Sequence, residues 1–130
     1  MNKYFSPDQF PHPFFREAES WQQTLTFQRD ELLYFQNRLG EVINASSNPN
    51  SLLVAEQFQE EFLEQERIID FMTSELNNQL QLLQKSVDRG SGISAAAEEG
   101  QLNLRREFAK AEELFTHSKA NFMVYIQSIF

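Results

Sequence analysis

Cysteine is absent from this sequence. Disulfides, thiolate zinc sites, iron–sulfur clusters and cysteine nucleophiles are therefore excluded. Proline and glycine are scarce, at four residues each in 130. Val and Thr are few and no stretch alternates polar with apolar, so strand signals are missing. Apolar runs such as Leu52-Leu53-Val54-Ala55 are far shorter than the roughly 20 residues that cross a bilayer. The opening residues, Met1 to Pro13, hold one Lys and no apolar run. Neither a membrane span nor a signal peptide is expected, and a soluble cytoplasmic protein is. Positive charge is also short, with 11 Lys and Arg against 19 Asp and Glu and a net charge of −8. Phosphate binding needs a basic face, so a nucleic-acid partner is not expected.

What is present is a chain with enough apolar residues, 41%, to bury a core. Its length fits one domain of about 100–150 residues. All prolines lie at Pro7, Pro11, Pro13 and Pro49. Two turn-forming clusters, Asn44 to Asn50 and Asp88 to Gly92, divide the rest into three long segments free of internal proline. Each segment carries apolar residues spaced alternately by three and four. The first runs Phe14, Ala18, Trp21, Leu25, Gln28, Leu32, Phe35, Leu39, Val42. The second runs Ala55, Phe58, Phe62, Gln65, Ile69, Met72, Leu76, Gln79, Leu83. The third runs Ala97, Gln101, Leu104, Phe108, Ala111, Phe115, Ser118, Phe122, Tyr125, Ile129. A stripe of this period is a helical seam, and helices of this length extend roughly 40–50 Å.

The expected architecture is all-α: an antiparallel, up-down-up three-helix bundle with coiled-coil-like heptad packing. A Pro/Phe-rich N-terminal arm, residues 1–13, precedes a bundle over 14–130, with helices at about 14–43, 50–87 and 94–129. Pro13 and Pro49 suit first helical turns, Asn48 suits a cap before Pro49, and Ser94 suits a cap for the third helix. Gly40 and Gly100 are expected to weaken the turns that hold them.

Short turns pair residues at nearly constant index sums, about 97 for the first two helices and about 180 for the last two. Trp21 then meets Leu76 and Leu104; Leu25 meets Met72 and Phe108; Leu39 meets Phe58 and Phe122. Gln79 and Gln101 fall together opposite Ala18, where two amides can satisfy each other. Ser118 falls with Phe35 and Phe62, and Gln28 with Ile69 and Ala111. Thirteen Phe is well above the ~5 of average composition. The seam uses most of them, as core rather than as a cofactor box. The plan, with Trp21 on the first helix facing Leu104 on the third, resembles a spectrin-type three-helix unit in architecture. A likeness of plan supplies no function.

Chemistry is sparse. The two histidines are His12, between prolines, and His117, one turn after Glu113. One Glu/His pair is too few ligands for a metal site. P-loop, GxGxxG and HExxH patterns are missing, and no serine is marked by a neighbouring base. Glu60, Glu61, Glu64 and Glu66 read as a solvated face, with Arg105, Arg106 and Lys110 within reach of Asp70 and Glu75. No catalytic, cofactor or metal residues are assigned.

The residues outside the seam carry the functional expectation. Phe27 and Tyr34 lie seven apart on the first helix, off its stripe, as do Leu63 and Phe71 on the second. Ile68, Leu82, Leu114 and Ile126 can widen the core edge, while Phe5, Phe10 and Phe15 are expected in the arm. Exposed apolar residues in this number point to an interface. The expected function is non-enzymatic, acting through self-association or protein–protein interaction. Phe27, Tyr34, Leu63 and Phe71 are the partner-binding candidates, with the arm docked and the chain a homodimer. The alternative is a module for a small ligand or metal ion, built on Gln28, Gln79 and Gln101 or on Glu113 and His117.

Overall fold

The computed structural model describes residues 12–90 and 92–129. They form three helices: α1 (Pro13–Ala45), α2 (Pro49–Asp88) and α3 (Ala95–Ile129). No strand occurs among the described residues. Of the N-terminal arm only His12 and Pro13 are described, so Phe5, Phe10 and the docking of the arm lie outside them.

Each helix start satisfies backbone N–H groups that would otherwise lack partners. At α1 the cap is His12, whose Nδ1 accepts from the Phe14 amide at 3.2 Å, with Pro13 in the first turn. Asn48 caps α2, its side-chain oxygen accepting from the Asn50 amide at 2.9 Å ahead of Pro49. Ser94 caps α3 by accepting from the Ala97 amide at 3.1 Å. The second turn closes on Gly90, whose φ of 71° is a left-handed conformation open to glycine.

The buried face of each helix follows the three–four spacing. On α1 it is Phe15, Ala18, Trp21, Leu25, Gln28, Leu32, Phe35, Leu39 and Val42. Phe15, expected in the arm, takes the core position expected of Phe14, which is half-buried. Phe15 is held there by Leu83 and Ala97, with which it forms one buried cluster. On α2 the seam is buried from Ala55 to Leu83 and continues to Ser86, with Phe58 half-buried. On α3 burial runs from Ala97 to Phe122; Tyr125 is half-buried and Ile129 exposed, because the neighbouring helices end there.

Cross-helix contacts fix the register. Rising numbers on α1 meet falling numbers on α2: Arg29 with Asp70, and Phe35 with Phe62 at 6.1 Å between ring centroids. The same holds between α2 and α3, where Gln79 meets Gln101 and Phe58 meets Phe122. These pairs carry the expected index sums of about 97 and 180. Between α1 and α3 the contact reaches one turn further than expected. Trp21 stacks on Phe108 at 5.5 Å, and Phe35 meets Phe122 at 5.4 Å. Glu17 with Arg105 and Glu31 with Lys119 carry the same offset, so α3 as a whole is advanced about one turn along α1.

One end of the core is a cluster of rings, Phe35, Phe58, Phe62, Phe122 and Tyr125, with Phe62 and Phe122 4.9 Å apart edge to face. The other end is a small cluster of Phe15, Leu83 and Ala97. Full burial of such side chains stabilises by about 1.5–3 kcal/mol each. Of the core-edge residues, Ile68, Leu82 and Ile126 pack against the core, whereas Leu114 is 52% exposed.

Candidate functional site

The polar groups inside the bundle mostly answer one another. Gln79 donates to Gln101 Oε1 at 3.0 Å and to the Ala97 carbonyl at 2.7 Å. Gln101 donates to the Phe14 carbonyl and, at 2.8 Å, to Glu17. Arg105 closes the set with two hydrogen bonds to the Glu17 carboxylate, at 2.8 and 2.9 Å. Burial pushes the Glu17 carboxyl up, but the hydrogen bonds from Arg105 and Gln101 and the guanidinium charge outweigh it and hold it below its ordinary value. The same hydrogen bond raises Arg105. A second layer joins Gln65, Ser118 and Glu61, with the Ser118 hydroxyl donating to the carboxylate.

Arg105 was expected to face acids on α2; it pairs instead with Glu17 on α1. Asp70 takes Arg29, and Arg106 bonds Asn103 on its own helix. The one-turn advance of α3 along α1 brings Arg105 beside Glu17. Of the other acids of α2, Glu61 accepts from Ser118 on α3, Glu66 accepts from Gln36 on α1, and Glu64 pairs with Arg67 on its own helix. No group of three metal-binding side chains occurs among the described residues. His12 is the helix cap, and His117 Nε2 lies 3.2 Å from the Asn121 amide on the same helix.

Gln28 is different. It is buried, 6% exposed, and lines a groove of about 420 Å³ between α1 and α3. Its amide has no hydrogen-bond partner among the described residues. Phe27, Phe115, Thr116, Ala120 and Met123 line the same groove, and the Glu31–Lys119 ion pair crosses it. Of the three helix pairs, α1 and α3 pack least closely. Gln28 stood in the sequence as one polar seam residue among several. Only the absence of a facing polar residue in its expected layer, Ile69 and Ala111, set it apart.

The four partner-binding candidates are all exposed: Phe27 62%, Tyr34 59%, Leu63 47% and Phe71 55%. They do not make one patch. Phe27 and Tyr34, two turns apart, share a side of α1. Leu63 lies across a different junction, with Gln36, Leu39, Gly40 and Ile43. Phe71 sits eight residues beyond Leu63, about 80° round the helix. Met123, 40% exposed, is the groove residue that sequence reasoning did not rank with Phe27. No helix among the described residues is long and apolar enough to cross a membrane.

No family model, curated protein or solved structure matches this chain.

Proposed function

We propose that this protein is a small non-enzymatic helical bundle, cytoplasmic in location, that acts by associating with itself or with another protein. One observation carries the reading: Phe27 and Tyr34, two large aromatic side chains, stand 62% and 59% exposed on one side of α1. Aromatic anchors of this kind contribute most of the energy of many interfaces, and leaving them in water is unfavourable. The three-helix bundle supports it, because its helices present their outer faces along their whole length. The polar side chains inside the bundle at Gln79, Gln101, Gln65 and Ser118 are engaged with one another or with neighbouring groups.

Light scattering tests this reading. The wild-type chain should associate, alone or with material from its source cell, and Phe27→Glu and Tyr34→Glu should abolish that association while leaving the circular dichroism unchanged. A wild type that stays monomeric and captures nothing that the variants lose would end it.

A second reading, a module for a small ligand, is favoured by the unpartnered Gln28 amide alone. Native mass spectrometry of the purified protein would reveal a bound mass, lost in Gln28→Leu.

A further inference from the structure

Among the described residues four glutamines are buried, and three have partners. Gln65 reaches Ser118, Gln79 reaches Gln101, and Gln101 reaches Glu17. Gln28, equally buried, reaches none and faces the α1–α3 groove. The buried polar atoms left without a partner among the described residues lie elsewhere, at Gln84 Oε1 and Tyr125 Oη, so the Gln28 amide is open to water through the groove. An occupant that covers the groove displaces that water and must bring a hydrogen-bonding group in its place.

The groove walls say more about the occupant. Phe27 and Met123 offer apolar surface, and Thr116 and Ala120 are short enough to let a backbone come close. The Glu31–Lys119 pair within the groove is neutral as a unit. The rim on α3 is acidic: Glu112 and Glu113 border an adjoining depression that shares Thr116 and Ala120, and neither has an ion-pair partner among the described residues. A second copy would bring the same two carboxylates and a further −8 of net charge to the contact. Like charges at a contact disfavour association, whereas a basic partner is drawn to such a rim.

We propose that the α1–α3 groove takes one amphipathic helix from another protein, packing as a fourth helix. Its apolar stripe covers Phe27 and Met123, a polar side chain within that stripe bonds the Gln28 amide, and flanking Lys or Arg faces Glu112 and Glu113. Helices recognised in grooves are read through such stripes at helical spacing. This inference rests on the association reading and narrows it to one partner chemistry.

A displayed library of helical peptides, selected on the full-length immobilised protein, tests it. Enriched peptides should carry an apolar stripe interrupted by Asn, Gln or Ser, with Lys or Arg at its flanks. A labelled enriched peptide should bind a Glu112→Lys/Glu113→Lys variant at least tenfold more weakly, and Phe27→Ala likewise, with Phe71→Ala unchanged. Selection on Gln28→Leu should replace the polar residue of the stripe by an apolar one. Enrichment of acidic or neutral flanks, or of no peptide, overturns the proposal, as does binding indifferent to Glu112 and Glu113. A wild-type dimer dissociated by Phe27→Glu also overturns it, assigning the groove to a second copy while the association reading stands. A monomer that enriches nothing and captures nothing removes both.

Discussion

Gly100 makes room for Gln79. A Cβ built on Gly100 would overlap the Gln79 side-chain oxygen, so a larger residue there requires that amide to shift from its place between the Ala97 carbonyl and Gln101. From sequence Gly100 reads as a weak spot in the first turns of α3. In the bundle it is the close approach that allows the polar layer to form.

Gly100→Ala should therefore destabilise the protein although alanine is the better helix former. The gain in helix propensity is about 1 kcal/mol, and the loss of a buried amide's hydrogen bonds is about 1–3 kcal/mol. Gly40, also within a helix, has nothing within 4 Å of its would-be Cβ. Gly40→Ala should stabilise by about 0.5–1 kcal/mol. Urea denaturation midpoints moving in opposite directions for the two variants are the expected result.

Truncating the ring cluster should be costly. Phe62 is 1% exposed and touches Phe35, Phe58 and Phe122. Phe62→Ala should cost about 3–5 kcal/mol and lower the melting temperature by on the order of 10 °C or more. Phe108→Ala, which removes the stack on Trp21, should fall in the same range. Phe27→Ala should stay within about 0.5 kcal/mol of wild type. Thermal melts that rank these three differently would contradict the register.

The caps make a smaller, separable contribution. Asn48→Ala and Ser94→Ala each remove a side-chain acceptor for a backbone N–H at a helix start. Each should cost about 0.5–2 kcal/mol, with glycine at the same positions costing less. Ser94 also touches Ser86, so its loss should be the larger of the two in chemical denaturation.

Acid should weaken the Glu17 contact. The carboxyl is held below its ordinary value of 4.5 in the folded chain, so the stability it contributes is present above that value. It is lost as pH falls through the lower folded value, because the protonated acid no longer attracts Arg105. The melting temperature of wild type minus that of Glu17→Gln should be constant near neutrality and shrink below about pH 4.5. The pair is partly solvated, so the difference will be small and reduced by salt. A difference that grows on acidification would refute the assignment.

The fold was largely readable before any coordinates. A three–four spacing held over whole segments dictates helices and their inward faces, and the prolines and capping residues mark where helices start. Phe15 escaped that reading because the spacing around Phe14 allows either ring, and only the packing of Phe15 against Leu83 and Ala97 decides between them. The candidate site was readable in part. Phe27, Tyr34, Leu63 and Phe71 stand off the stripe by count alone, and exposure is a local consequence of position on a helix. Whether they lie together depends on which helices flank each one.

The sequence by itself determined three helices, their buried stripes and the pairing of Gln79 with Gln101, because periodicity and short turns constrain these locally. The tertiary structure alone decided that Arg105 meets Glu17, that Gly100 is a seat for Gln79, and that Gln28 faces a groove without a partner. Those outcomes depend on how far α3 advances along α1. That advance is set by the fit of bulky side chains such as Trp21 against Phe108, and no spacing within a single helix records it.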